Sequence, residues 1–171
     1  MIGACVSDYT ALEKRLRELE DISAISALKY RYLNACDAKQ PEEVSNCFVA
    51  GKIDIDFGHI GRFDSREAFV NVFEELGCHA HIIDMHHAQN PVIRILSEDQ
   101  ATGHIGLRFL SINTQDKTRI QLSGHYDDEY QRVDGEWKIS ASRFNVAAVE
   151  MIDFSGDHAR VTYTGNTMPS L

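Results

Sequence analysis

The stretch Gly124-His-Tyr-Asp-Asp-Glu-Tyr-Gln-Arg-Val-Asp-Gly-Glu-Trp-Lys-Ile139 decides the fold. Asp134-Gly135 at its centre is a strong hairpin signal, because a two-residue turn that follows the twist of paired strands needs left-handed backbone at both positions. The hairpin joins two strands, residues 119–133 and 136–146. Upstream, Pro91-Val-Ile-Arg-Ile-Leu96 and residues 101–112 read as two more strands across the turn-like Ser97-Glu-Asp-Gln100. Lys52-Ile-Asp-Ile-Asp-Phe57 alternates apolar with polar, the period of a strand.

Ahead of these strands the pattern is helical. Leu12, Leu16 and Leu19 recur at helical spacing among charges. Ile22, Ile25, Leu28, Tyr32 and Ala35 form a second apolar stripe, and Asp21 stands where it would cap a second helix. Pro41 followed by Glu42 and Glu43 opens a short third helix. Asp64 with Glu67 three residues on is a capping-box-like start for a helix through about Leu76. Helices first and a long antiparallel meander afterwards predict an α+β fold: a cone-like, curved, mixed or antiparallel sheet wrapped around N-terminal helices. Such a sheet encloses a cavity suited to a small ligand. No repeat, low-complexity tract or linker divides the 171 residues, so they read as one domain with its core at about 19–149. The weakly periodic tail, 150–171, either covers the cavity mouth or crosses to a neighbouring subunit.

Composition narrows the function classes. Seventeen basic against 26 acidic residues give a formal net charge of -9. That argues against a nucleic-acid partner, which selects a basic face, and against electrostatic attachment to an anionic membrane. No run approaches the roughly 20 apolar residues of a membrane span. Cys5, Cys36, Cys47 and Cys78 contain no C-x-x-C pair, and 171 residues do not need disulfides, so free thiols in a reducing compartment are expected. With no basic, apolar leader at the N-terminus, the expected location is cytoplasmic.

Four of the eight histidines, His79, His81, His86 and His87, fall within nine residues. His79-Ala-His81 would place two rings on one face of a strand near Asp84. H-x-H without a second motif is a weak metal signature, and no metal is expected. The plainer reading makes His79, His81 and His87 surface or structural groups. A histidine is also the side chain best matched to proton transfer near neutral pH, provided a carboxylate orients it. At about 100° per residue, Tyr32 sits near the centre of the second apolar stripe and Asp37 lies about 140° round from it, at the stripe's edge or beyond the helix end. Tyr30 faces away. Periodicity alone makes Tyr32 a packing residue and Asp37 a solvated or capping one.

Four stretches together resemble the SnoaL-like branch of the nuclear transport factor 2-like superfamily, near the group holding scytalone dehydratase, bile acid 7α-dehydratase and hexachlorocyclohexane dehydrochlorinase. They are residues 28–39, Leu-Lys-Tyr-Arg-Tyr-Leu-Asn-Ala-Cys-Asp-Ala-Lys; residues 85–93, Met-His-His-Ala-Gln-Asn-Pro-Val-Ile; Ala101-Thr-Gly103; and the 124–139 stretch. The resemblance implies that His86 is the catalytic base, Asp37 its partner and Tyr32 a polar group beside them. It also implies that Asp56 takes the place of a cavity tyrosine, whereas strand alternation alone leaves Asp56 facing solvent. Ile105, Leu107 and Phe109, with Leu122, Phe144 and Val146, would form the substrate-facing wall, with His104, Arg108 and Arg143 pointing away. Relatives place a polar His or Asp near Ile105 or Phe109, and one has an arginine at Val146, so the pocket here is expected to be more apolar.

These implications converge on a cofactor-independent lyase that eliminates water from a hydrophobic cyclic substrate such as a steroid, polyketide or aromatic precursor. A cyclase or ketosteroid-type isomerase would use the same base without a leaving group. A non-catalytic ligand-binding or oxygenase-small-subunit-like module would hold His86 and Asp37 beyond about 4 Å, too far to hydrogen-bond, or would fill the cavity with side chains. No nucleotide or flavin motif (G-x-G-x-x-G or G-x-x-x-x-G-K-[ST]) is present, so no cofactor is expected. The relatives' habit implies a homo-oligomer, a trimer ahead of a dimer.

Overall fold

A computed structural model describes residues 2–169, with side chains from Tyr9 onward. Cys5 and the outermost ends of the expected domain lie outside the described side chains. Eleven elements follow in chain order: α1 (Ile2–Asp37), α2 (Pro41–Asn46), β1 (Lys52–Asp56), a 3-10 turn (Gly58–Ile60), β2 (Arg62–Ser65), α3 (Arg66–Gly77), β3 (Ile82–Ile95), β4 (Gln100–Asn113), β5 (Thr118–Val133), β6 (Glu136–Asp153) and β7 (Arg160–Gly165). The sheet runs β2-β1-β6-β5-β4-β3, with β7 also on β6. β1 lies parallel to β6 and the other pairs are antiparallel, so the sheet is mixed. This is the expected α+β architecture, N-terminal helices set against a mixed sheet.

The expected hairpin forms as read: Asp134 and Gly135 both adopt positive φ, 51° and 83°, between the paired Val133 and Glu136. Other expectations need correction. The two N-terminal helices are one 36-residue helix. Asp21 is not a cap; it sits inside α1 and accepts hydrogen bonds from Arg132 and from the Trp137 indole. The helix runs unbroken through this position. Ser65, not Asp64, caps α3, its hydroxyl accepting from the Ala68 N–H, and Arg62–Ser65 is a strand that the sequence pattern did not mark. β3 begins at Ile82 rather than Pro91, and His79 and His81 stack in the turn before it, not on a strand. Part of the tail becomes β7 and extends the sheet beside residues 149–153 of β6.

Register shifts interrupt the ladders at five places. Pairing shifts between Lys52 and Ile55 in β1, between Gln89 and Val92 in β3, twice along the β5–β6 ladder, and between Met151 and Ile152 where β6 meets β7. Each bulge bends its strand and reverses which residues face in. The inward residues of β5 are Leu122, Tyr126, Asp128 and Tyr130, all buried, and they meet Ile25, Leu28, Lys29, Tyr32 and Cys36 of α1. Phe48, Phe57 and Phe63 each pack on Phe69, the first two edge-on and Phe63 tilted.

At the centre of this apolar core is a charge pair. Lys29 and Asp128 are fully buried and 2.8 Å apart. Asp128 also accepts from the Tyr130 hydroxyl at 2.8 Å and the Ser142 hydroxyl at 2.6 Å. The Lys29 ammonium stands 3.4 Å above the centre of the Tyr126 ring, a cation–π contact stripped of water. Burial pulls the Lys29 pKa down, and the Asp128 carboxylate opposes that pull.

Two stability tests follow from this packing. Removing one partner of a buried ion pair leaves the other charge uncompensated, so Asp128→Asn is expected to cost about 3–5 kcal/mol in denaturant unfolding, with the double change Lys29→Met, Asp128→Leu recovering most of it. Gly124 sits where a Cβ would collide with the Asn145 carbonyl oxygen and come within 2.7 Å of the Phe144 ring. Gly124→Ala is expected to cost roughly 1–3 kcal/mol through overpacking, seen as a Tm lowered by several degrees.

Candidate active site

The last turn of α1 is held by a left-handed closure. Lys39 has φ 55°, the Gln40 N–H reaches back to the Ala35 carbonyl at 3.0 Å, and the Lys39 ammonium donates to the Gly77 carbonyl at the end of α3 at 2.6 Å. Asp37, the final residue of α1, is thereby fixed against β3. Opposite it, alternation along β3 turns Asp84, His86 and Ala88 inward and Met85 and His87 outward.

The two meet through both oxygens of one carboxylate. The His86 backbone N–H donates to Asp37 Oδ2 at 2.9 Å, and His86 Nδ1 lies 2.6 Å from Asp37 Oδ1. With the carboxylate ionised, Nδ1 is the protonated nitrogen of the neutral ring, which leaves Nε2 with its lone pair free. The imidazole also packs on Phe109, ring centres 4.4 Å apart. The His86 side chain is 16% exposed and that of Asp37 25%, so the dyad stands at the rim of the core, partly exposed to solvent.

Tyr32 lies deeper, one turn before Cys36, and is 3% exposed. It stands edge-on to Phe48 and within hydrogen-bonding reach of the Cys36 thiol and of Tyr126. Burial raises the pKa of both phenols well above the ordinary tyrosine value, and raises that of the Cys36 thiol too. All three therefore keep their protons at neutral pH, and the phenols are donors.

Cross-strand rows show what surrounds the histidine. One row is His86, Phe109, Leu122 and Val149; the next is Ala88, Leu107, Gly124 and Val146; then come Ile105, Tyr126 and Phe144. All the expected wall residues face inward on this surface. Ile105, Leu107 and Leu122 are packed into the core itself, while Phe109, Phe144 and Val146 are half-buried. Arg108 and Arg143 face outward as expected, and so does His104.

Asp56 is not brought to this group, which corrects the expectation that it lines the cavity. Ile53 and Ile55 take the inward positions of β1, so the pleat turns Asp56 to the outer face. There it pairs with Arg62 at 2.6 Å and with Arg143 at 3.7 Å, and the Arg62 hydrogen bond lowers its pKa. Among the described residues, one group has metal-ligand spacing: His104, His125 and Asp127, whose ligand atoms lie within 4.8 Å of one another on that same outer face, away from His86. His79 donates from Nε2 to the Glu75 carbonyl.

Three residues near the site escaped the sequence reading: Lys29, Tyr126 and Asp128. The signal was available. Tyr126 and Asp128 share the strand phase of Leu122, and Lys29 falls inside the apolar stripe of Ile25, Leu28 and Tyr32, where an ammonium needs a buried partner.

Solved structures share this architecture. The "Putative Scytalone Dehydratase" of Novosphingobium aromaticivorans DSM 12444 is 22% identical with a TM-score of 0.69, over 90% of this chain and 91% of that one. A LinA structure is 21% identical with a TM-score of 0.73, over 84% and 96%. The hexachlorocyclohexane dehydrochlorinase LinA-type3 of Novosphingobium barchaimii LL02 is 18% identical with a TM-score of 0.70, over 91% and 99%. At these identities the likeness establishes the fold. The sequence model of one family matches residues 17–143, which include Tyr32, Asp37 and His86, and by that match the chain belongs to the SnoaL-like domain family.

Proposed function

We propose that this chain is a cofactor-independent lyase acting by base-initiated elimination on a small, hydrophobic, cyclic molecule with an activating carbonyl. The observation that carries the proposal is the two-point hold of Asp37 on His86, through Nδ1 at 2.6 Å and the backbone N–H at 2.9 Å. A histidine needed only for packing has no use for a carboxylate that fixes its tautomer and its ring plane together.

The chemistry follows from that geometry. His86 Nε2 takes the proton on the carbon beside the carbonyl, and the electron pair left behind moves towards the carbonyl oxygen. Asp37 stabilises the imidazolium as it forms, the role a carboxylate plays beside histidine in other enzymes. A phenol donor, Tyr32 with Tyr126 beside it, meets the charge developing on oxygen. The hydroxyl on the neighbouring carbon then departs as water with the proton that the His86 imidazolium carries, while the electron pair returns from the carbonyl oxygen to form the double bond and restore the carbonyl. The apolar surroundings of Phe109, Phe144 and Val146 match a hydrophobic ring system better than a charged metabolite. The structural relatives include one named "Putative Scytalone Dehydratase" and a hexachlorocyclohexane dehydrochlorinase, names that belong to eliminations of this general kind. The same base without a leaving group would isomerise or cyclise its substrate. The 2.6 Å contact speaks against a purely non-catalytic module, in which the two side chains need not meet.

The test begins with a panel of cyclic ketones and β-hydroxy ketones in D2O. Wild-type protein is expected to exchange the proton beside the carbonyl and to release a product 18 mass units lighter; an unchanged product mass would move the reaction to isomerisation. His86→Ala is expected to lower turnover by about 10²–10⁴-fold, and Asp37→Asn to fall in the same range, with native far-UV circular dichroism in both. Tyr32→Phe is expected to cost about 10²–10³-fold. Full activity in His86→Ala would remove the base assignment.

A further inference from the structure

We infer that the N-terminal half of α1 is a self-association surface, which packs against the same helix of a second copy of this chain. The described side chains from Tyr9 to Glu20 are all exposed, yet they include four large apolar groups. Tyr9 is 65% exposed, Leu12 59%, Leu16 54% and Leu19 64%. Their spacing is three, four and three residues, the repeat of a two-helix seam. In the sequence the same spacing continues upstream through Cys5 and Ile2.

This stripe is not the core stripe running on. At about 100° per residue the four side chains fall within about 80° of one another. The buried set Ile25, Leu28, Lys29, Tyr32 and Cys36 centres about 170° away, on the opposite side of the same helix. The neighbours of α1 agree. Lys14, Arg17, Glu18 and Asp21 project on the core side, where they face Leu96, Glu98 and Arg132 across a cleft of about 690 Å³. The leucines therefore point away from the body of the protein. Tyr30, on their side of the helix, is exposed as well.

Charge selects the occupant. The chain as a whole carries -9, so two copies repel over most approaches. Residues 13–20 differ: Lys14, Arg15 and Arg17 balance Glu13, Glu18 and Glu20, giving no net charge along the seam. A segment with both signs and an apolar stripe is complementary to itself, whereas a basic or acidic partner would need a segment of one sign. A helix this exposed gains little from its own body, and an isolated helix is marginal in water, so pairing supplies the burial that holds it.

The experiment is light scattering on size-exclusion fractions of the full chain over about 1–100 μM, beside the variant Leu12→Glu, Leu16→Glu, Leu19→Glu. Wild type is expected to be an oligomer, and the variant to be a monomer or to dissociate at concentrations at least tenfold higher. Near-UV circular dichroism of Trp137, which hydrogen-bonds to Asp21 on the opposite side of α1 from the substituted face, checks that the body of the variant stays folded. A second variant, Glu13→Lys, Glu18→Lys, Glu20→Lys, makes the seam basic without touching the leucines. It is expected to dissociate at low salt and to reassociate at high salt. A monomeric wild type would overturn the inference and leave the stripe to a different partner. An oligomer that survives the leucine substitutions would overturn it too, placing the contact elsewhere.

Discussion

Lys29 and Asp128 set the relation between the helix and the sheet. A buried charge is tolerable only opposite its partner, and these two are paired with each other. Sliding α1 by a single turn, about 5.4 Å, would leave both charges facing hydrocarbon. Apolar packing alone is more forgiving, since leucines and isoleucines accept several alignments. Once the pair is made, much else is placed. Tyr32 follows Lys29 by one turn, and Cys36 and Asp37 follow by two, so the end of the helix arrives against β3 at the height of His86. On the sheet, turning Asp128 inward also turns Tyr126 inward, and the ammonium lies on that ring.

The dyad joins two kinds of secondary structure, and each supplies something the other lacks. The helix end supplies a carboxylate with two free oxygens, fixed by the closure at Lys39 and Gln40. The strand supplies a backbone N–H and a side chain that leave the sheet on the same side. A carboxylate bound only to the ring could rotate with it; bound to the backbone as well, it holds the ring to one plane. Tyr32 and Tyr126 lie beneath, and their burial makes ionisation costlier still than for an ordinary phenol. Order increases inward, from the half-exposed carboxylate to phenols closed off from water.

Much of this was legible in the sequence, for local reasons. The Asp134-Gly135 turn announces itself, because few residue pairs adopt its backbone angles. The inward set Ile105, Leu107 and Phe109 follows from alternation within one regular stretch of β4. His86 and Asp37 are different: nothing local distinguishes them from a surface histidine and a capping aspartate, and only the resemblance among four separated stretches brought them together. Tertiary contacts decided what local pattern could not. Asp21 looked like a cap because Asp commonly is one, but Arg132 and Trp137, more than a hundred residues away, supply its partners inside an unbroken helix. Asp56 followed the alternation of its own strand, with Ile53 and Ile55 inside, rather than the position suggested by relatives. Lys29 was hidden because a lysine in an apolar stripe reads as an interruption until its partner is known.

The bulge at Asn90-Pro91 reaches beyond the bend it makes. Before it, β3 turns even-numbered residues inward, Asp84, His86 and Ala88; after it, odd-numbered ones, Ile93 and Ile95. Asn90 accepts the positive φ of 48°, and Pro91 carries no N–H for the ladder to miss. One strand is thus written in two reading frames, one that carries His86 and one that carries the isoleucines, with a single spare residue between them. Deleting that residue would leave His86 and the isoleucines facing inward on a regular ladder, because their partners Phe109 and Gly103 already share one phase of β4, and would remove only the local bend. The spare residue therefore serves the curvature beside the histidine, and relatives that differ there in residue count cannot be matched to this chain position by position across the bulge.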